Sequence, residues 1–140
     1  MNAPLYNKDI LRLAASIPHH ARLPDAQASV EKRSPVCGSR VAADVRMADG
    51  RLLDMGLDVK ACALGQASAA LMAGHAIGLT ADELAGARDK LAAYLAGVSD
   101  DLDFWPGLAI LAPARDYPAR HASIRLGFEA IAEAARQADA

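Results

Sequence analysis

Aromatic side chains make up only 4% of this 140-residue chain: one Trp, two Phe and three Tyr. A core built on stacked rings is therefore excluded. The 53% hydrophobic content, much of it alanine, points to helices packed through small residues. No apolar run approaches the ~18 residues of a membrane span. The opening "MNAPLYNKDILRLA" lacks the charged start and apolar block of a signal peptide. Net charge is −2 with mixed signs and no basic run, so neither nucleic acid nor an anionic membrane is indicated as a partner. There is no glycine-rich phosphate loop and no Ser–His–Asp setting for a hydrolase. Cysteine is also rare, with two in all, Cys37 and Cys62. The expected compartment is the cytoplasm, where a Cys37–Cys62 disulfide is disfavoured.

What is present is enough for one domain over residues 1–140 with a core that needs no disulfide. Residues 4–16 read as a helix, with Pro4 in the first turn and Leu5, Ile10, Leu11, Leu13 and Ile17 on its apolar side. Gln27–Lys32 suits a short strand. Val41, Ala43, Val45 and Met47 alternate, Asp49-Gly50 follows, and Leu53, Met55, Leu57 and Val59 alternate again. That pattern is a β-hairpin with one buried face. From Cys62 the period becomes helical, with Leu64, Leu71, Met72 and His75 on one side and a stop at Gly78. Thr80 and Glu83 form a capping box for a helix that carries Leu84, Ala87, Leu91, Tyr94 and Val98 and ends at Gly97. "SDDLDFWPG" reads as a loop and Leu108–Ala112 as a short helix. The last helix starts near Pro118 and buries Ile124, Phe128, Ile131 and Ala135. The order predicts an α+β fold, a small antiparallel sheet of about three strands with helices packed on one face.

Cys37 precedes the first hairpin strand in "SPVCGSR", and Cys62 follows the second in "DVKACALGQAS". Antiparallel pairing brings those two strand ends to one edge of the sheet. Cys62 would also start a helix, where the positive end of the dipole and free N–H groups favour anionic sulfur, the nucleophile and metal-binding form. Two readings stay open. Both thiols are ligands or reactive groups, or both are inert small core residues. Two thiolates do not complete a tetrahedral metal site.

Four stretches, in order along the chain, resemble the scaffold proteins of iron–sulfur cluster assembly, the NifU/IscU/SufU type. "LYNKDILRLAASIPHHARLP" is similar to the family's opening, and "SPVCGSR" to its N-P-x-C-G-D. "LLDMGLDVKACALGQASAALM" is similar to the segment around its second cysteine, and "YPARHASIRLGFEAI" to the segment around its third. The resemblance implies a SufE/NifU-like fold and a role in cluster assembly. It implies an iron–sulfur cluster, iron or zinc bound through Cys37 and Cys62. It implies a cysteine desulfurase and iron–sulfur recipient proteins as partners. It also places Ser39 where the family has Asp, and Ser123 where it has the third cysteine. A serine oxygen is hard and stays protonated, and so is a poor ligand for these metals. His121, two residues before Ser123, is the candidate replacement ligand, and it is also read as a solvated helix-start residue. Ser39, Asp116, water or a partner would have to supply a fourth donor. The alternative is a SufE-like sulfur acceptor with Cys62 as its catalytic residue, or a degenerate partner-binding regulator. Arg120 matches the family's Pro-x-Arg and reads as a cluster- or partner-holding residue or as a helix-start ion pair. His19-His20 reads as surface, His75 as semi-buried, and Asp100, Asp101 and Asp103 as a solvated loop.

Overall fold

The computed structural model describes residues 5–35 and 38–139. Its elements run in the order α1 (Lys8–Ala14), β1 (Ala28–Arg33), β2 (Arg40–Ala48), β3 (Arg51–Lys60), α2 (Ala63–His75), α3 (Ala81–Leu95) and α4 (His121–Ala138). Two 3-10 helices, Leu108–Asp116 and Pro118–Arg120, lead into α4. The three strands form an antiparallel sheet in the order β1-β2-β3. This is the α+β arrangement that the sequence predicts, including the strand before the hairpin.

The hairpin turns at Asp49-Gly50, both with positive φ (53° and 76°), between the paired residues Ala48 and Arg51. Such a two-residue turn matches the twist of the strands it joins. The register then shifts between Arg46 and Met47, which pair with Asp54 and Leu52. Leu53 is the extra residue of this bulge and is 54% exposed, while Leu52 takes the core position. The alternation expected from Leu53 onward therefore begins at Leu52 and resumes at Met55.

Val41, Ala43, Val45 and Met47 face the core, but β2 is buried on its other side too, at Ala42 and Asp44. The expected single buried face is corrected by the segment 19–23. Leu57 N–H donates to the carbonyls of His19 (2.9 Å) and Ala21 (3.1 Å) at the β3 edge. The segment then crosses Gly56, where a Cβ would overlap the Ala21 carbonyl oxygen. Gly56 pairs with Asp44. The Asp44 carboxylate accepts from Arg22 Nε (2.7 Å), Arg22 Nη2 (2.8 Å), Leu23 N (2.9 Å) and Ser29 Oγ (2.6 Å). Burial raises its pKa, but these donors and the Arg22 charge together outweigh that and bring it from 3.8 to about 2.

On the core side α4 lies across β1 and β2, and α2 and α3 pack against α4. α2 is buried almost all round, from Leu64 to Ala73, as befits a central helix. It meets α4 through small residues. Ala69 Cα lies 3.3 Å from where a Cβ on Gly127 would be, and Ser68 Oγ donates to Ile124 O (2.7 Å). Trp105 closes one end, its Nε1–H on Leu71 O (2.8 Å) and its ring edge-on to Phe128.

Three helix expectations need correction. α1 starts at Lys8 because the Asn7 side chain caps Ile10 N–H, and it turns Ile10 inward and Leu11 outward (51% exposed). Pro4 lies outside the described residues. Val98 is 81% exposed, because α3 ends at Leu95 and Gly97 turns the chain away at φ 81°. The capping box at its other end is as expected, with Glu83 N–H on Thr80 Oγ1 and Thr80 N–H on Glu83 Oε1. His75 ends α2 exposed, with its ring edge-on to Trp105, rather than semi-buried. Among the described residues, no helix is long and apolar enough to cross a membrane.

Candidate functional site

The last β2–β3 pair is Arg40 with Lys60. It sets the entry to β2 beside the exit from β3, as antiparallel pairing requires. Cys62 follows two residues later as the N-cap of α2, in extended conformation (φ −64°, ψ 168°), and its carbonyl accepts the first helical N–H, from Gln66 (2.9 Å). Its side chain does not cap the helix and is partly exposed. It points instead to α4, with Sγ 3.4 Å from Ser123 Oγ.

Ser123 is in the first turn of α4 and only 1% exposed. Its hydroxyl donates to Ser39 Oγ (3.2 Å), and Ser39, 5% exposed, sits just before β2 with its carbonyl accepting from Ser34 N–H (2.8 Å). Side chains from three parts of the chain are thus linked in succession, Cys62 Sγ to Ser123 Oγ to Ser39 Oγ. Gly65, one turn into α2, makes this possible, since a Cβ there would overlap Ser123 Oγ. The sequence holds a signal for this: a glycine three residues after the cysteine, in the first turn of an alanine-rich helix.

Cys37 lies outside the described residues. His121 opens α4, but its Nε2 faces the carbonyl oxygens of Arg115 (2.9 Å) and Ala114 (3.2 Å). Only an N–H donates to carbonyls, so Nε2 carries a proton here. Asp116 is exposed at the end of the first 3-10 helix. Arg120 forms no ion pair among the described residues. His19 and His20 are exposed, with His20 Nε2 accepting from Val59 N–H (3.3 Å). In the acidic loop, Asp100 pairs with Arg115 (2.6 Å) and Asp101 accepts from Asp103 N–H (2.7 Å). Among the described residues, no three His, Cys, Asp or Glu side chains gather as a metal would require. The described residues thus bring together one soft donor and two hydroxyls.

No protein-family model matches the sequence, and no curated protein does. Solved structures do. A nitrogen-fixing NifU-like protein (N-terminal) from Brucella abortus is 41% identical, over 95% of this chain and 93% of that one, with a TM-score of 0.88. An iron–sulfur cluster assembly scaffold, so described, for the SUF system of Fervidobacterium islandicum AW-1 shares the fold at a TM-score of 0.86. It is 20% identical over 93% of this chain and 96% of that one. The chain belongs to the NifU-like family.

Proposed function

We propose that this chain works in iron–sulfur cluster assembly as a scaffold-type carrier, with Cys62 as the cargo-bearing residue. Family membership supports the general role. The observation that carries the assignment of Cys62 is its placement, a partly exposed thiol at the start of a buried helix, with its sulfur 3.4 Å from a buried hydroxyl. Cluster or iron cargo would be held through Cys37 and Cys62, two soft donors, with the remaining ligands drawn from a partner.

A second mode, sulfur carriage, is favoured by the serines at positions 39 and 123. It needs one accessible thiolate and no metal. A cysteine desulfurase presents a persulfide. Cys62 Sγ⁻ attacks its outer sulfur, the new S–S bond forms on Cys62, the old S–S bond breaks, and the desulfurase cysteine leaves as thiolate. No net oxidation occurs, and an iron–sulfur recipient takes the sulfur onward.

The test is a reaction with a cysteine desulfurase and L-cysteine, read by mass spectrometry of the Cys62 peptide and by sulfide release. The expected result is one added sulfur on Cys62, lost in Cys62→Ser and kept in Cys37→Ser, while Cys37→Ser abolishes cluster binding. Desulfurase stimulation and cluster content that both survive Cys62→Ser would sink the proposal.

A further inference from the structure

We infer that Ser39 and Ser123 determine which cargo this site retains. They keep it from holding a metal ion tightly within the chain's own donor set, and the feature that does so is two oxygens rather than the backbone.

Two of the donor spacings match those of a ligand set. Around a tetrahedral ion with sulfur at ~2.3 Å and oxygen at ~2.0 Å, neighbouring donors lie about 3.5 Å apart. Cys62 Sγ and Ser123 Oγ are 3.4 Å apart, and Ser123 Oγ and Ser39 Oγ 3.2 Å. The three come from three segments that the sheet edge, α2 and α4 hold together, and two are almost fully buried. Gly65 leaves the space on the α2 side.

The chemistry differs from the geometry. Both serine oxygens are hard, protonated donors, and the Ser123 hydroxyl already donates to Ser39. A metal entering here would have to break that bond and would gain only one soft ligand from the described residues. Even with Cys37 the set has two thiolates, short of the four donors of a closed site. Exchanging oxygen for sulfur at both positions changes the donor chemistry and keeps the branching of the side chains, with the larger sulfur at position 123 entering the space beside Gly65.

This inference deepens the sulfur-carrying mode but is tested without it. The wild-type protein and Ser39→Cys/Ser123→Cys are titrated anaerobically with zinc against a chelating dye, with circular dichroism to confirm folding. Wild type should yield its zinc to the dye. The double variant should retain one equivalent, at least about a hundredfold more tightly, and melt at higher temperature when loaded. The single variant Ser123→Cys, which alters one buried atom, should lie between and serves if the double variant does not fold. Wild type that holds zinc as tightly as the variants, or folded variants that gain no affinity, would overturn the inference. Should wild type take no sulfur on Cys62 while the zinc results come out as expected, the sulfur-carrying mode fails and this inference stands.

Discussion

Gly65 on α2 and Ser123 on α4 approach so closely that a methyl group on the glycine would overlap the serine hydroxyl. The same Cβ would lie 2.8 Å from Ala61 Cβ, so the neighbour on either side has to give way. Two effects compete in Gly65→Ala. Helix propensity gains up to ~1 kcal/mol, and overpacking a tight contact costs ~1–3 kcal/mol. The clash should win, for a net loss of about 1–2 kcal/mol in urea unfolding. Gly86, inside α3, has nothing within 4 Å of its would-be Cβ. Gly86→Ala should therefore stabilise the protein by up to ~1 kcal/mol. The opposite sign for Gly65→Ala would mean that Ser123 can move freely and that the hydroxyl link to Cys62 is not fixed by packing.

Asp44 ties the segment 19–23 to the sheet and gives the fold a defined acid sensitivity. Its pKa falls from 3.8 in the unfolded chain to about 2 in the folded one. A depressed pKa adds stability that is complete above about pH 4 and is lost as pH drops through about 2, to a total of about 2 kcal/mol. Urea midpoints measured between pH 5 and pH 2 should show this decline, and Asp44→Asn should flatten it. At neutral pH, Asp44→Ala should cost about 2 kcal/mol rather than the 3–5 of a fully buried ion pair. The Arg22 side chain is largely exposed and rehydrates when its partner goes. An acid response unchanged in Asp44→Asn would remove Asp44 as its source.

Much of this architecture was legible in the chain itself. The Asp49-Gly50 turn, the capping box at Thr80 and Glu83, and the apolar face carrying Ile124, Phe128 and Ile131 each follow from local rules, and the structure has all three. Leu53 and Val98 misled because both are apolar residues in phase with a stripe. A bulge put one outside, and a helix ending two residues earlier did the same to the other. Neither event changes composition. The site was legible in part. Pairing of Arg40 with Lys60 sets the β2 entry beside Cys62, as hairpin logic requires, and Cys62 occupies the N-cap position of α2. The contact of Cys62 with Ser123 is a tertiary one, 61 residues apart in sequence, and no spacing rule reaches that far. The attachment of His121 to two carbonyls also depends on how the 3-10 helix folds back, which the sequence does not encode locally.

Trp105 is the only tryptophan, so one ring reports on one end of the core. It is 4% exposed, donates to Leu71 O and meets Phe128 edge-on at 5.1 Å between centroids. Its emission should be blue-shifted in the folded protein and should move to the red in a single step on unfolding, coincident with loss of helical circular dichroism. Trp105→Phe removes the N–H and leaves the Leu71 carbonyl without that donor. It should cost about 1–3 kcal/mol, from the unpaired group and the smaller ring together. A fluorescence transition well below the circular dichroism transition would instead show that the 99–107 segment detaches from α2 before the rest unfolds.

His121 separates a structural role from a chemical one at the start of α4. Its Nε2–H is shared between the carbonyls of Arg115 and Ala114, which ties the end of the Leu108–Asp116 3-10 helix to the first turn of α4. That turn also carries Ser123, so His121 lies two residues from the hydroxyl in sequence while its Nε2 is spent on the backbone. His121→Ala should cost about 1 kcal/mol, since the Ala114 carbonyl keeps the Tyr117 N–H and water can replace the donor at the carbonyl of half-buried Arg115. Sulfur loading on Cys62 should stay within about threefold of wild type, because the hydroxyl link from Ser123 to Ser39 does not pass through the imidazole. His121→Asn, which restores a donor of shorter reach, should recover part of the stability. A loss of loading beyond about tenfold in a folded His121→Ala protein, not recovered by asparagine, would place the imidazole in the chemistry. Its Nδ1 would then be the atom to pursue.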